Sequence, residues 1–73
     1  MADKESKRDA FRRLATRRTN AAIDRLRVLS HCANPRLYEY TDEDVRKMFR
    51  AIESELRATK GKFVNSTRSE FQL

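Results

Sequence analysis

Residues that interrupt helices are almost absent from this chain of 73 residues, which has one glycine, Gly61, and one proline, Pro35. Aromatic residues make up 8% of the chain and charged residues 38%. Few turn-forming residues together with many charged ones are typical of long, solvent-facing helices and argue against a β-sheet. The sequence therefore predicts an all-α protein with one small domain.

Cysteine and histidine occur once each, as Cys32 and His31. One cysteine cannot form an internal disulfide, which favours a reducing, cytoplasmic setting. Two such residues are too few for a zinc site, and neighbours on a helix point about 100° apart, so they do not face each other as a catalytic pair. With no glycine-rich phosphate loop either, we expect no enzymatic activity, no metal and no cofactor.

Long apolar runs are also missing from the sequence. None approaches the ~20 residues that span a membrane, and basic and acidic residues alternate over residues 3–9, where a signal peptide would need an apolar core. We therefore expect a cytoplasmic protein that makes no membrane contact.

The segment from Asn34 to Val45 separates two stretches of the sequence that are predicted to be helical. Pro35 lacks a backbone N–H and disfavours a helical conformation at Asn34, a common helix-ending residue because it tolerates left-handed backbone angles. Thr41 and Asp44 have the spacing of a capping box, in which each side chain accepts a hydrogen bond from the other's backbone N–H. The pattern predicts that one helix ends before Pro35 and that a second begins at Asp42, after a connection of about seven residues.

The first helix is expected from near Ser6 to about Ala33, after a frayed segment at residues 1–5. Its apolar residues fall on two lines at helical spacing, with Arg18 and Arg25 between the lines. The first line consists of Phe11, Ala15, Ala22, Leu26, Leu29 and Ala33. The second consists of Leu14, Ala21, Val28 and Cys32. An apolar arc this wide predicts that the helix has two neighbours.

The second helix is expected from Asp42 to about Gly61, followed by a flexible tail at residues 64–73. It carries one narrow apolar stripe at helical spacing, formed by Val45, Met48, Phe49, Ile52, Leu56 and Phe63. The pairs Glu43–Lys47 and Glu53–Arg57 are spaced for favourable i,i+4 attraction.

Together these features predict an antiparallel helical hairpin over residues 6–63, with a long basic helix, a turn and a shorter amphipathic helix. A hairpin with so few large apolar residues is marginal alone. The second apolar line of the first helix would therefore be covered in a homodimer, which makes a four-helix bundle.

The strongest functional signal is positive charge. The net charge is +6, from twelve arginines and five lysines against eleven acidic residues. Two arginine pairs lie in the span from Ala10 to Ile23, which contains no acidic residue. Because phosphate contacts need only positive charge along a rigid element, we expect sequence-tolerant binding of DNA or RNA by the first helix. The residues expected to contact it are Arg12, Arg13, Arg17, Arg27, Lys7 and Arg8.

A protein-binding module is the alternative. Arginines within an apolar arc resemble a protein interface more than a track for phosphates. The partner would be an acidic protein or ribonucleoprotein surface, and the module a small inhibitor or accessory subunit of the kind found in phages and plasmids. The interface residues on this hypothesis are Leu14, Arg18, Ala21, Arg25 and Val28.

Several stretches of the sequence resemble a group of small bacterial proteins that has no assigned activity. They are Arg18-Thr19-Asn20-Ala21-Ala22-Ile23, Arg25-Leu26-Arg27-Val28-Leu29, Asn34 and Tyr38-Glu39-Tyr40-Thr41-Asp42-Glu43-Asp44-Val45. The Tyr-Glu-Tyr-Thr turn before an acidic helix start is the most distinctive of them. The resemblance covers roughly residues 11–63 and implies a bacterial or mobile-element origin. It assigns no functional residues.

Overall fold

The first helix, α1, spans Lys7–Ser30. Ser6 is its N-cap, with extended backbone angles of φ −70° and ψ 162°. The Ser6 hydroxyl accepts a hydrogen bond from the Asp9 N–H at 3.0 Å, and the Ser6 carbonyl accepts one from the Ala10 N–H at 2.9 Å. These bonds satisfy backbone donors that have no partner inside the helix. The helix start predicted near Ser6 is confirmed.

The α-helix ends at Ser30, three residues before the predicted end at Ala33. The N–H groups of His31, Cys32 and Ala33 each donate to the carbonyl three residues earlier, at 3.0 Å. This i to i−3 pattern is the tighter 3₁₀ geometry that often closes a helix. The chain therefore leaves the α-helical hydrogen-bond pattern after Ser30 and continues as a turn.

Asn34 was expected to end α1 in a left-handed conformation, but no non-glycine residue in the described part of the chain has a positive φ. Asn34 instead starts a turn. Its side-chain oxygen accepts from the Arg36 N–H at 3.1 Å, and its carbonyl accepts from the N–H groups of Leu37 and Tyr38 at 3.0 and 2.9 Å. Pro35 is the second residue of this turn, a position that suits its fixed φ and needs no N–H donor. The connection consequently runs over residues 31–41, longer than the predicted seven.

The second helix, α2, spans Asp42–Thr67 and begins with the predicted capping box. The Asp44 N–H donates to the Thr41 hydroxyl at 3.0 Å, and the Thr41 N–H donates to Asp44 Oδ2 at 2.9 Å. The Thr41 carbonyl accepts the first helical bond, from the Val45 N–H at 3.2 Å. Acidic residues fill the first turn, where the helix dipole favours negative charge. The predicted start at Asp42 is confirmed.

The predicted end of α2 at about Gly61 is wrong, because the helix continues to Thr67. Gly61 has no positive φ, and a Cβ atom built on it would meet nothing within 4 Å. Glycine in a helix costs about 1 kcal/mol relative to alanine, which weakens a helix without ending it. Residues 64–67 of the predicted tail therefore belong to α2.

The computed structural model describes the backbone of residues 4–67 and the side chains of residues 4–65. The predicted tail residues 68–73 and the N-terminal residues 1–3 lie outside this range. Within it the secondary structure is helical with no strand, so the all-α class is confirmed. The chain divides into two units between Tyr38 and Glu39, one containing α1 and the other α2.

No side chain among the described residues is fully buried. The most protected large apolar side chains are only half-buried, namely Leu14 and Leu29 on α1 and Val45, Met48 and Ile52 on α2. Elsewhere on the same faces Leu26 is 47% exposed and Leu56 is 55% exposed. Each helix is therefore held by backbone hydrogen bonds and caps, and it presents apolar surface of the kind that other proteins place in a core.

Candidate interaction surfaces on the two helices

The predicted nucleic-acid residues do not share one edge of α1. At 100° per residue, Arg13, Arg17 and Arg27 lie within an arc of about 80°. Arg12 lies about 100° from Arg13 and groups with Arg8, four residues earlier. Positive charge therefore surrounds much of the helix and does not form a single track along it. Lys7 lies on a third line, with Arg18 and Arg25.

Arg13 makes an ion pair that the sequence did not predict. Its Nε and Nη2 atoms donate to Glu5 Oε2 and Oε1, each at 2.9 Å, in the two-bond geometry that suits a guanidinium and a carboxylate. These hydrogen bonds hold the pKa of the Glu5 carboxyl below its ordinary value. The same bonds, aided by attraction between the charges, raise the pKa of the Arg13 guanidinium.

Glu5 lies before the span from Ala10 to Ile23, which itself contains no acidic residue. Side chains on a helix lean toward its N-terminus, so Arg13 reaches back along α1 to a residue that precedes the Ser6 cap. The sequence signal for this pair is an acidic residue about two helical turns before the arginine. The consequence is that the hydrogen-bonding edge of Arg13 is already occupied by a carboxylate.

Arg27 is also engaged, though more weakly. Its Nη1 atom lies 3.3 Å from Asp24 Oδ1, and both side chains are largely exposed to solvent. Such an exposed i,i+3 pair contributes little to stability and breaks readily. Among residues 4–65, Arg12, Arg17 and Arg8 form no ion pair at all.

The five predicted protein-interface residues do lie together on α1. Their positions span an arc of about 80° on one side of the helix. Leu14 is half-buried within its own unit, and Val28 is 54% exposed. Arg18 and Arg25 border these apolar side chains, and within the described residues neither of them forms an ion pair. This side of α1, formed by Leu14, Arg18, Ala21, Arg25 and Val28, is called the arginine-bordered face.

The α2 stripe carries large apolar side chains from Val45 to Phe63. Phe49 is 47% exposed and Phe63 is 58% exposed, on the same side as the half-buried Val45 and Ile52. Beside this stripe Glu43 pairs with Arg46 Nη2 at 3.1 Å.

Both predicted i,i+4 pairs on α2 are wrong. Neither Glu43–Lys47 nor Glu53–Arg57 forms an ion pair among the described side chains. Glu43 pairs instead with Arg46, one residue closer. Glu53 and Arg57 therefore remain available to charges outside this helix.

The described residues contain no group of three or more His, Cys, Asp or Glu side chains arranged to hold a metal ion. Cys32 is a free, exposed thiol in the turn after α1. Neither helix, over the part of the chain that is described, is long and apolar enough to cross a membrane.

No family model, curated protein or solved structure matches this chain. The resemblance to small bacterial proteins stays a prediction.

Proposed function

We propose that this protein is a small helical binding module that docks the arginine-bordered face of α1 on an acidic protein or ribonucleoprotein surface. The observation that carries the proposal is that the five residues of this face share one side of α1, with Val28 54% exposed. The six arginines and lysines of the nucleic-acid hypothesis are, by contrast, spread around the helix.

The chemistry of this face suits a protein partner. Leucine, valine and alanine side chains supply apolar contact, and the long stems of Arg18 and Arg25 can lie along it while their guanidinium groups reach outward. A guanidinium binds a carboxylate through two parallel hydrogen bonds, as Arg13 already does with Glu5. Arginine is also among the residues enriched at protein interfaces.

On the same proposal, α1 and α2 pair as an antiparallel hairpin, and two hairpins associate as a homodimeric four-helix bundle. The support is the apolar surface on both helices, for which the described residues provide no core. A chain of 73 residues gains the missing burial most readily from a second chain. Its single cysteine suits action in the reducing cytoplasm.

The test is capture of partners by the tagged full chain, with protein and nucleic acid identified separately. Arg18→Ala and Leu14→Asp should abolish capture of a protein partner. Arg12→Ala is the matched control, since it removes the same charge from another side of α1 and should be milder. If Arg12→Ala is the more damaging change, or if only nucleic acid is recovered, the protein-binding proposal fails.

Sequence-tolerant nucleic-acid binding is the second candidate, favoured by the observation that Arg8, Arg12 and Arg17 form no ion pair within residues 4–65. If each chain of a dimer contacts three or four phosphates, the slope of log affinity against log salt on duplex DNA should be about −5 to −7. Fluorescence anisotropy on duplex DNA, single-stranded DNA and RNA measures this slope. Absence of binding at low salt would remove this candidate and leave the protein partner.

A further inference from the structure

The extension of α2 to Thr67 completes a heptad repeat that a helix ending at Gly61 would have cut short. Written as abcdefg, the repeat places Phe49, Leu56 and Phe63 at position a. It places Val45, Ile52 and Thr59 at position d. Five of these six residues are apolar, and they extend over about 27 Å of helix at 1.5 Å per residue. Sustained a and d spacing is the pattern by which helices pack side by side as a coiled coil.

Thr59 is the one polar residue on this seam, and its hydroxyl is already satisfied. The Thr59 Oγ1 atom donates to the Glu55 carbonyl of its own helix at 2.8 Å. Burying a hydroxyl is costly when its donor lacks a partner, and back-bonding to the helix removes most of that cost. Thr59 can therefore enter an apolar interface without interrupting it.

The flanking charges discriminate between the two ways in which copies of α2 can pair. In an antiparallel pair, residues at position e face position e, and residues at position g face position g. Arg46 would then face Lys60 of the second copy. Glu53 would face Glu53 of that copy, and Glu55 would face Glu55. Every charged pair across such an interface would be repulsive.

In a parallel pair, a residue at position g faces position e five residues further along the other helix. Glu55 then meets Lys60 of the second copy, and the contact occurs twice by symmetry. Neither side chain forms an ion pair in its own chain within the described residues. The parallel arrangement thus gains two attractive pairs and none of the repulsive ones.

We propose that two copies of this chain associate through the a and d seam of α2, with the helices parallel and with Glu55 of each chain paired to Lys60 of the other. The inference rests on the proposed self-association but not on the identity of any outside partner. In the proposed four-helix bundle, α1 of each chain fills the rest of the same core.

The test is Lys60→Glu in the full chain, with mass and dissociation constant measured by analytical ultracentrifugation. In the parallel pair this change turns two attractions into repulsions and should weaken association roughly tenfold, given the modest strength of exposed pairs. Arg57→Glu, at the outward position b, makes the same charge change and should have little effect. The double variant Glu55→Lys with Lys60→Glu should restore association.

Three other outcomes would contradict the proposed parallel association. Stronger association of Lys60→Glu would indicate antiparallel helices, because the carboxylate introduced at position 60 would then attract Arg46 of the second copy. Equal effects of Lys60→Glu and Arg57→Glu, with circular dichroism showing both variants fully helical, would place the interface away from this seam. A wild-type chain that stays monomeric at its highest soluble concentration would overturn the self-association itself, while leaving the proposed partner face of α1 untouched.

Discussion

Replacing Thr41 with alanine tests how far α2 depends on its N-terminal cap. The change removes the hydroxyl that accepts from the Asp44 N–H at 3.0 Å. It keeps the reverse bond, because that one uses the backbone N–H of residue 41 and Asp44 Oδ2. Loss of an N-cap hydroxyl costs about 1 kcal/mol, which is roughly a fivefold shift in the equilibrium between helix and coil. The first turn of α2 should open more often by that factor.

Amide hydrogen exchange followed by NMR is the direct assay, read at Asp44 and Val45 in the first turn. Exchange at these amides should accelerate about fivefold in Thr41→Ala, the factor that follows from about 1 kcal/mol of capping energy. Thr41→Ser is the matched control, since it retains the hydroxyl and should behave like the natural chain. Unchanged exchange in Thr41→Ala would refute the capping box, and equal acceleration in both variants would show that the hydroxyl bond is not the cause.

Two further perturbations follow from the described contacts. Gly61→Ala should stabilise α2 by about 0.8–1 kcal/mol, since a Cβ there meets nothing within 4 Å, and a lower circular dichroism signal or melting temperature would contradict this. The Glu5–Arg13 pair should be present at neutral pH and lost as the pH falls through the depressed pKa of Glu5, because protonation removes the charged acceptor. NMR of the Arg13 Nε–H should show that transition in the natural chain and not in Glu5→Gln, and an identical titration in both would show that Glu5 is not the partner.

The start of α2 could be predicted from sequence because the interaction that defines it is local. Thr41 and Asp44 are three residues apart and need only each other's backbone N–H to form the capping box. The start of α1 at Ser6 followed from similar short-range chemistry. Neither prediction required knowledge of tertiary packing.

The helix ends were harder because no single residue decides them. Gly61 lowers helix stability by an amount that neighbouring hydrogen bonds can offset, so α2 continues through it. Asn34 and Pro35 were correctly assigned to a break in helical structure. These two residues nevertheless do not end α1 themselves. They start a new turn, and the hydrogen bonds have already changed to the i to i−3 pattern at His31.

Among the candidate site residues, helical spacing predicts which of them share one side of α1, but not whether each arginine forms an ion pair. Leu14, Ala21 and Val28 recur every seven residues, so any helix over this range places them on one side. Whether an arginine is engaged depends on rotamers and on residues outside the helix. Glu5 reaches Arg13 across eight positions, a distance that the usual i,i+4 rule does not include.

Because no described side chain is fully buried, the stability of α2 and its proposed association with a second chain should be coupled. If α2 orders fully only when two copies meet, a capping loss of about 1 kcal/mol in each chain should weaken the dimer by about 2 kcal/mol, or roughly thirtyfold. Gly61→Ala, at the outward position f of the same heptad, should strengthen association although it touches no seam residue. If both variants change amide exchange but leave the dissociation constant unchanged, α2 is already formed before the chains meet, and association depends on the seam contacts alone.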